Sequence, residues 1–175
     1  MIGAMVILLI CVGVLVAFTR GCSFAPGGPS VDSSSAPSVD MSRRLADAAS
    51  SVPFPVRRPS LPDEWRANSS STEGVNAVDV VVRVGWVVPD GNYVQLSQSG
   101  APESDVLFAE TGQEAPVARG EIDVAGTRWV SYPARRDEPA WVTSLDGAVL
   151  LITGSASEDD FRRLAEAVQD ASPLS

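Results

Sequence analysis

The chain opens on MIGAMVILLICVGVLVAFT, a run without one charged side chain, and the first charge is Arg20. A helix over Ile2 to Thr19 rises about 27 Å at ~1.5 Å per residue, close to a hydrocarbon core of roughly 30 Å. The pattern predicts a transmembrane helix over residues 1–20 that meets the lipid bilayer through residues 2–19. Residues 21–39, GCSFAPGGPSVDSSSAPSV, replace apolar periodicity with Gly, Pro and Ser and predict a flexible linker. Residues 40–175 resume patterned sequence and predict one domain.

Within that domain Asp40 opens a short helix, with Met41, Leu45, Ala48, Ala49 and Val52 on one apolar stripe. Pro53 and Pro55 end it, and FPVRRPSLPDEW reads as extended chain. Strict alternation then predicts a strand over Val80 to Val88, with Val82, Val84, Trp86 and Val88 on one face. Pro89-Asp90-Gly91-Asn92 turns it into a strand over Tyr93 to Gln98, with Val94 and Leu96 inward. Val106 to Glu110 reads as a further short strand. Two hairpins follow, Glu121–Val124 with Thr127–Tyr132 around Ala125-Gly126, and Ala140–Leu145 with Ala148–Thr153 around Asp146-Gly147. Ser157 and Asp160 resemble a capping box, and Phe161, Leu164, Ala165 and Val168 form the stripe of a closing helix. An antiparallel sheet with flanking helices is α+β.

Composition narrows the chemistry. The hydrophobic fraction of 45% is that of a folded protein. The net charge of −9 opposes phosphate backbones, so no nucleic acid is expected as a partner. The chain holds no His, and all 13 basic residues are Arg. Catalytic triads and dyads built on His, His-based zinc sites, P-loop lysines and Schiff-base lysines are therefore excluded. The two cysteines, Cys11 and Cys22, both precede the patterned domain, which rules out a disulfide within it. No cofactor and no metal is expected, and the protein is expected not to be an enzyme.

The first segment lacks the basic start and the small-x-small cleavage site of a signal peptide, since Pro26 directly follows Ser23-Phe24-Ala25. Arg20 spoils a lipoprotein signal before Cys22, although lipidation there, like simple secretion, stays open as an alternative to a retained anchor. The positive-inside rule has only Arg20 to count. The polar linker and the acidic, cysteine-free domain favour a plasma-membrane, single-pass protein with its C-terminal domain on the extracytoplasmic side. Gly13 and Ala17 are spaced for small-xxx-small helix packing and are candidates for contact with membrane-protein partners.

The run FPVRRPSLPDEW, then VGWVVPDGNYVQLSQS, IDVAGTRWVSY and VLLITGSAS before the last helix, resembles an actinobacterial membrane-anchored family catalogued as domain of unknown function 4245. The resemblance rests on that segment order and on Trp65, Pro89, Tyr93, Gly126, Trp129 and Gly154. It implies a small protein with one N-terminal span and an exported domain. The order of strands and helices is also similar to the Mog1/PsbP-like sandwich, a likeness of fold that carries no function.

The remaining candidates form an interaction surface. Trp86, Trp129 and Trp141 lie on predicted strands and are expected in the core, whereas Trp65 follows Pro62 in irregular chain and is the best candidate for exposure. Arg57-Arg58 and Arg135-Arg136 are paired basic sites outside helices, suited to bidentate contact with carboxylates or phosphates, or to ion pairs within the chain. Asp90, Glu121 and Asp123 are the carboxylates nearest to a hydrolytic pair. Glu158, Asp159 and Asp160 fit a helix's first turn. These features lead us to expect a non-catalytic accessory or assembly subunit of a larger membrane or cell-envelope complex. The alternatives are a carrier or binding module for a lipid or envelope glycan and, third, a carboxylate-dependent hydrolase.

Overall fold

The structure, a computed structural model, describes residues 41–174. The expected span, the linker, Gly13, Ala17 and Cys22 lie outside the described residues, as does Asp40. Among the described residues no helix is long and apolar enough to cross a membrane. The chain forms α1 (Met41–Ala49), β1 (Arg66–Gly74), β2 (Val80–Val87), β3 (Tyr93–Ser99), α2 (Glu103–Thr111), β4 (Gly120–Val124), β5 (Thr127–Pro133), β6 (Pro139–Leu145), β7 (Ala148–Gly154) and α3 (Glu158–Asp170). The strands make one seven-stranded antiparallel sheet in the order β1-β2-β3-β7-β6-β5-β4, so the domain is α+β.

Each half of the sheet is a local meander. The Ala125-Gly126 and Asp146-Gly147 turns carry positive φ at both central positions (49° and 83°, 49° and 84°), the geometry that matches strand twist in two-residue hairpins. The halves meet where β3 pairs with β7, placing Leu96 opposite Ile152 and Val94 opposite Gly154.

Both faces of the sheet are covered. On one face Val82, Val84, Trp86, Val94, Leu96, Leu150 and Ile152 pack against Leu45 of α1 and against Phe161, Leu164, Ala165 and Val168 of α3. Phe161 meets Trp141 edge-on, with ring centroids 5.2 Å apart, and Trp129 Nε1 donates to Gln169 Oε1 at 3.1 Å. Ser157 caps α3 as its spacing predicts, its Oγ accepting from the Asp160 amide. On the other face Ala140, Val142, Val149 and Leu151 pack against Val106 and Leu107 of α2.

One local expectation is corrected, and one strand is added. Residues 106–110 are not a strand but part of α2. Pro102 precedes the helix, Glu103 and Asp105 complement its first turn, and Gly112 ends it at φ 72°, its amide bonded to Phe108 O. Only Val106, Leu107 and Thr111 of this helix are buried, while Phe108 is 51% exposed, so the short apolar run mimicked alternation. Residues 68–70 belong to edge strand β1, for which the sequence carries no strand pattern. Its RANSSSTEG sequence has no apolar face, and backbone pairing with β2 alone identifies it as a strand. The opposite edge, β4, is short and carries Glu121 and Asp123.

Phe161→Ala is expected to cost about 3–5 kcal/mol, the usual range for emptying a packed aromatic site. Urea unfolding of the detergent-solubilised chain, followed by tryptophan fluorescence, measures it.

Candidate functional site

The candidate residues are divided between three places. Arg57 is not on the surface: it is 5% exposed, in the extended segment after α1. Its backbone amide donates to Gln98 Oε1 (2.8 Å), and Gln98 Nε2 donates back to Arg57 O (2.9 Å), so the segment is docked onto β3. Its guanidinium donates to the carbonyls of Gln169 and Ala171 at the end of α3 and to Asp146 in the β6–β7 turn. A cation at a helix C-terminus meets both the unpaired carbonyls and the negative end of the dipole. The last described residues are held at the same place, where Leu174 N donates to Val56 O at 2.8 Å. Arg57 is therefore a structural lock rather than a docking residue.

Trp65 is likewise 6% exposed, which corrects its expected exposure. The 53–62 segment, brought down by Phe54 and Val56, packs the ring against the same core as Trp86. Trp129 and Trp141 are also buried, as strand aromatics are expected to be. Arg58 and the edges of Trp65 and Trp86 line one cleft of about 250 Å³ with Met41, Leu45 and Asp63. Among the described residues the buried Trp65 indole N–H has no acceptor.

The third place is the more polar. On the sheet face that α2 covers only in part, Gly85 leaves room for the Tyr93 ring, since a Cβ there would stand 1.8 Å from Tyr93 Oη. Tyr93 Oη lies 2.9 Å from Ser69 Oγ and donates to Gln95 Oε1 at 3.3 Å. Gln95 Nε2 donates to Ser97 Oγ (3.1 Å) and to Glu110 Oε2 (3.0 Å). The Glu110 side chain, 6% exposed, accepts from Arg83 Nε at 2.6 Å, and Arg83 Nη1 reaches Glu73 at 2.8 Å. Every polar side chain of this chain of contacts is partnered, which is the condition under which a buried ion pair is tolerated.

Above this network lie Arg135 and Arg136. They line a cleft of about 410 Å³ with Tyr93, Gln95, Glu110 and Ser155. Sequence reasoning missed Arg83, Gln95 and Glu110. The signal was present in the register, because Arg83 faces Ser97 and Gly85 faces Gln95 across β2 and β3. Polar and small residues thus alternate with the valines and Leu96 on a face that the helix spacing of α2 would have completed.

The nominated carboxylates are occupied locally. Asp90 accepts from the Asn92 amide, Asp123 from the Gly126 amide, and Glu121 pairs with Arg128 in an exposed contact worth little. Among the described residues no group of three or more His, Cys, Asp or Glu is placed to hold a metal ion.

Residues 1–168 match the sequence model of a family described as a protein of unknown function, DUF4245. No curated protein and no solved structure matches the chain.

Two outcomes test these placements. Glu110→Gln keeps an acceptor but removes the buried counter-charge of Arg83, leaving the exposed Glu73 carboxylate, and is expected to cost roughly 1–3 kcal/mol in urea unfolding. Burial first, then the nearby Glu103 carboxylate and the hydrogen bond to it, raises the Tyr132 pKa above its usual 10.0. The unfolded chain then releases this proton more readily, so the contribution is intact below about pH 10 and is lost as pH rises further. Tyr132→Phe is expected to flatten the loss of stability above pH 10, measured by melting temperature.

Proposed function

The chain belongs to the DUF4245 family, and within that frame we propose that it is a non-catalytic, single-pass membrane protein acting as an accessory or assembly subunit of a larger membrane or cell-envelope complex. One observation carries the reading: an uncharged apolar run of spanning length, followed by a Gly/Pro/Ser linker, leads into a single folded unit. The absence of His and Lys from the sequence supports a non-catalytic role. The extracytoplasmic side suits the acidic, cysteine-free domain. The three-layer arrangement is similar to the Mog1/PsbP-like sandwich, a fold-level analogy without functional weight.

A carrier for a lipid or envelope glycan is the second reading, favoured by the Trp65 indole N–H that lacks an acceptor beside the Arg58 cleft. Against it, that cleft is about 250 Å³, below the roughly 300–1,000 Å³ usual for small-molecule sites, and all four tryptophans are spent on the core.

Alkaline carbonate is expected to leave the full chain in the membrane pellet. Gentle detergent extraction and mass spectrometry are expected to find stoichiometric membrane-protein partners. Recovery as a lone monomer overturns the subunit reading, and release by carbonate overturns the anchor. A membrane-impermeant maleimide is expected to label the Cys22 thiol in intact cells, and labelling only after lysis reverses the orientation.

A further inference from the structure

We propose that the cleft rimmed by Arg135 and Arg136 binds a small ligand through one carboxylate or phosphate group. The β5–β6 connection places both arginines at the cleft, and neither makes an ion pair or side-chain hydrogen bond among the described residues. Arg57, Arg83, Arg128 and Arg162, by contrast, each hold a carboxylate. The arrangement is seated from below. Arg135 lies across Gly112, where an added Cβ would stand 3.0 Å from its Nη2.

It is also held under strain. Arg136 and Asp137 are consecutive non-glycine residues in the left-handed region, with φ of 58° and 61°. Such a conformation is costly and persists where its surroundings enforce it, often at a ligand site. The cleft's acids do not cancel the arginines. Glu110 is paired with Arg83 and accepts from Gln95, which leaves Glu138 as the unpaired acid among the cleft's lining residues, with Asp137 next to Arg136 in the turn itself. The Ser155 hydroxyl accepts from the Tyr93 amide and keeps its own hydrogen to donate. Two arginines and one hydroxyl lining a concave site, in a chain with net charge −9, offer an oxyanion forked donors rather than bulk charge. The inference is independent of the membrane reading.

The test is a titration of the detergent-solubilised full chain, with backbone amide NMR shifts as the readout and inorganic phosphate, acetate and glucuronate as separate probes. Saturable shifts at Tyr93, Gly112, Arg136 and Ser155 are expected. A stronger response to phosphate assigns a phosphoryl ligand, and a stronger response to acetate or glucuronate a carboxylate. Arg135→Ala and Arg136→Ala are each expected to weaken binding tenfold or more, whereas Arg119→Ala, outside the cleft, leaves it unchanged. Arg136→Gly guards against misfolding: it relieves the positive φ, so its melting temperature is expected to hold or rise while affinity falls. Absence of saturable shifts, or unchanged affinity in Arg136→Gly, overturns the proposal.

Discussion

The pairing of β3 with β7 is the constraint on which the domain depends. Every other ladder in the sheet joins strands that are neighbours in sequence, so each could form from a turn outward. Only this register brings together segments some fifty residues apart, and it pays the larger loop-closure entropy. What it obtains is a surface wide enough to bury helices on both sides. Leu96 beside Ile152 gives α3 its bed, and Ser97 beside Leu151 continues the opposite face toward α2. The arginine cleft straddles this seam, with Tyr93 and Gln95 on one side of it and Ser155 on the other. A slip of one residue would exchange the β7 side chains that face α3 with those that face α2 and misfit both layers together.

The arginines show how identical residue types are sorted by what surrounds them. Arg57 and Arg58 are adjacent, yet alternation along extended chain sends one guanidinium to the end of α3 and the other to an open cleft. Arg83 enters a sheet of valines because Glu110 arrives from α2 to meet it. Arg135 and Arg136 stay together because the turn between β5 and β6 is left-handed and cannot alternate them to opposite faces. A basic dipeptide in a sequence therefore has no single meaning, and backbone conformation decides whether it acts as a pair.

Much of the sheet was legible in the sequence because its signals are local. The alternating valines of β2, the Asp146-Gly147 turn and the Ser157 cap each act within a few residues, and each appears where its chemistry demands. What escaped was set by distant partners. β1 carries no hydrophobic alternation and is a strand only through the backbone of β2. Residues 103–111 are helical with Pro102 and two acids at their start and the left-handed Gly112 cap at their end, while the apolar run inside them has two faces' worth of side chains. Trp65 looked exposed because prolines usually mark surface chain, yet here Phe54 and Val56 drag that chain into the core. The arginine pair at 135–136 was visible as residue type, whereas the floor beneath it required the register of three strands and a helix.

The lock at Arg57 has a mechanical consequence. Pulling force that arrives along the chain at Met41 meets α1 first, and α1 is held down by one fully buried side chain, Leu45. Beyond it the load reaches the Val56–Leu174 bond and the Arg57 guanidinium, which knit the start of the domain to its end. Local opening is easiest where the fewest apolar contacts are lost, so α1 yields before the clamp and the clamp before the sheet. The first helix behaves as a fuse that gives way under tension and leaves the sheet, with its arginine cleft, intact.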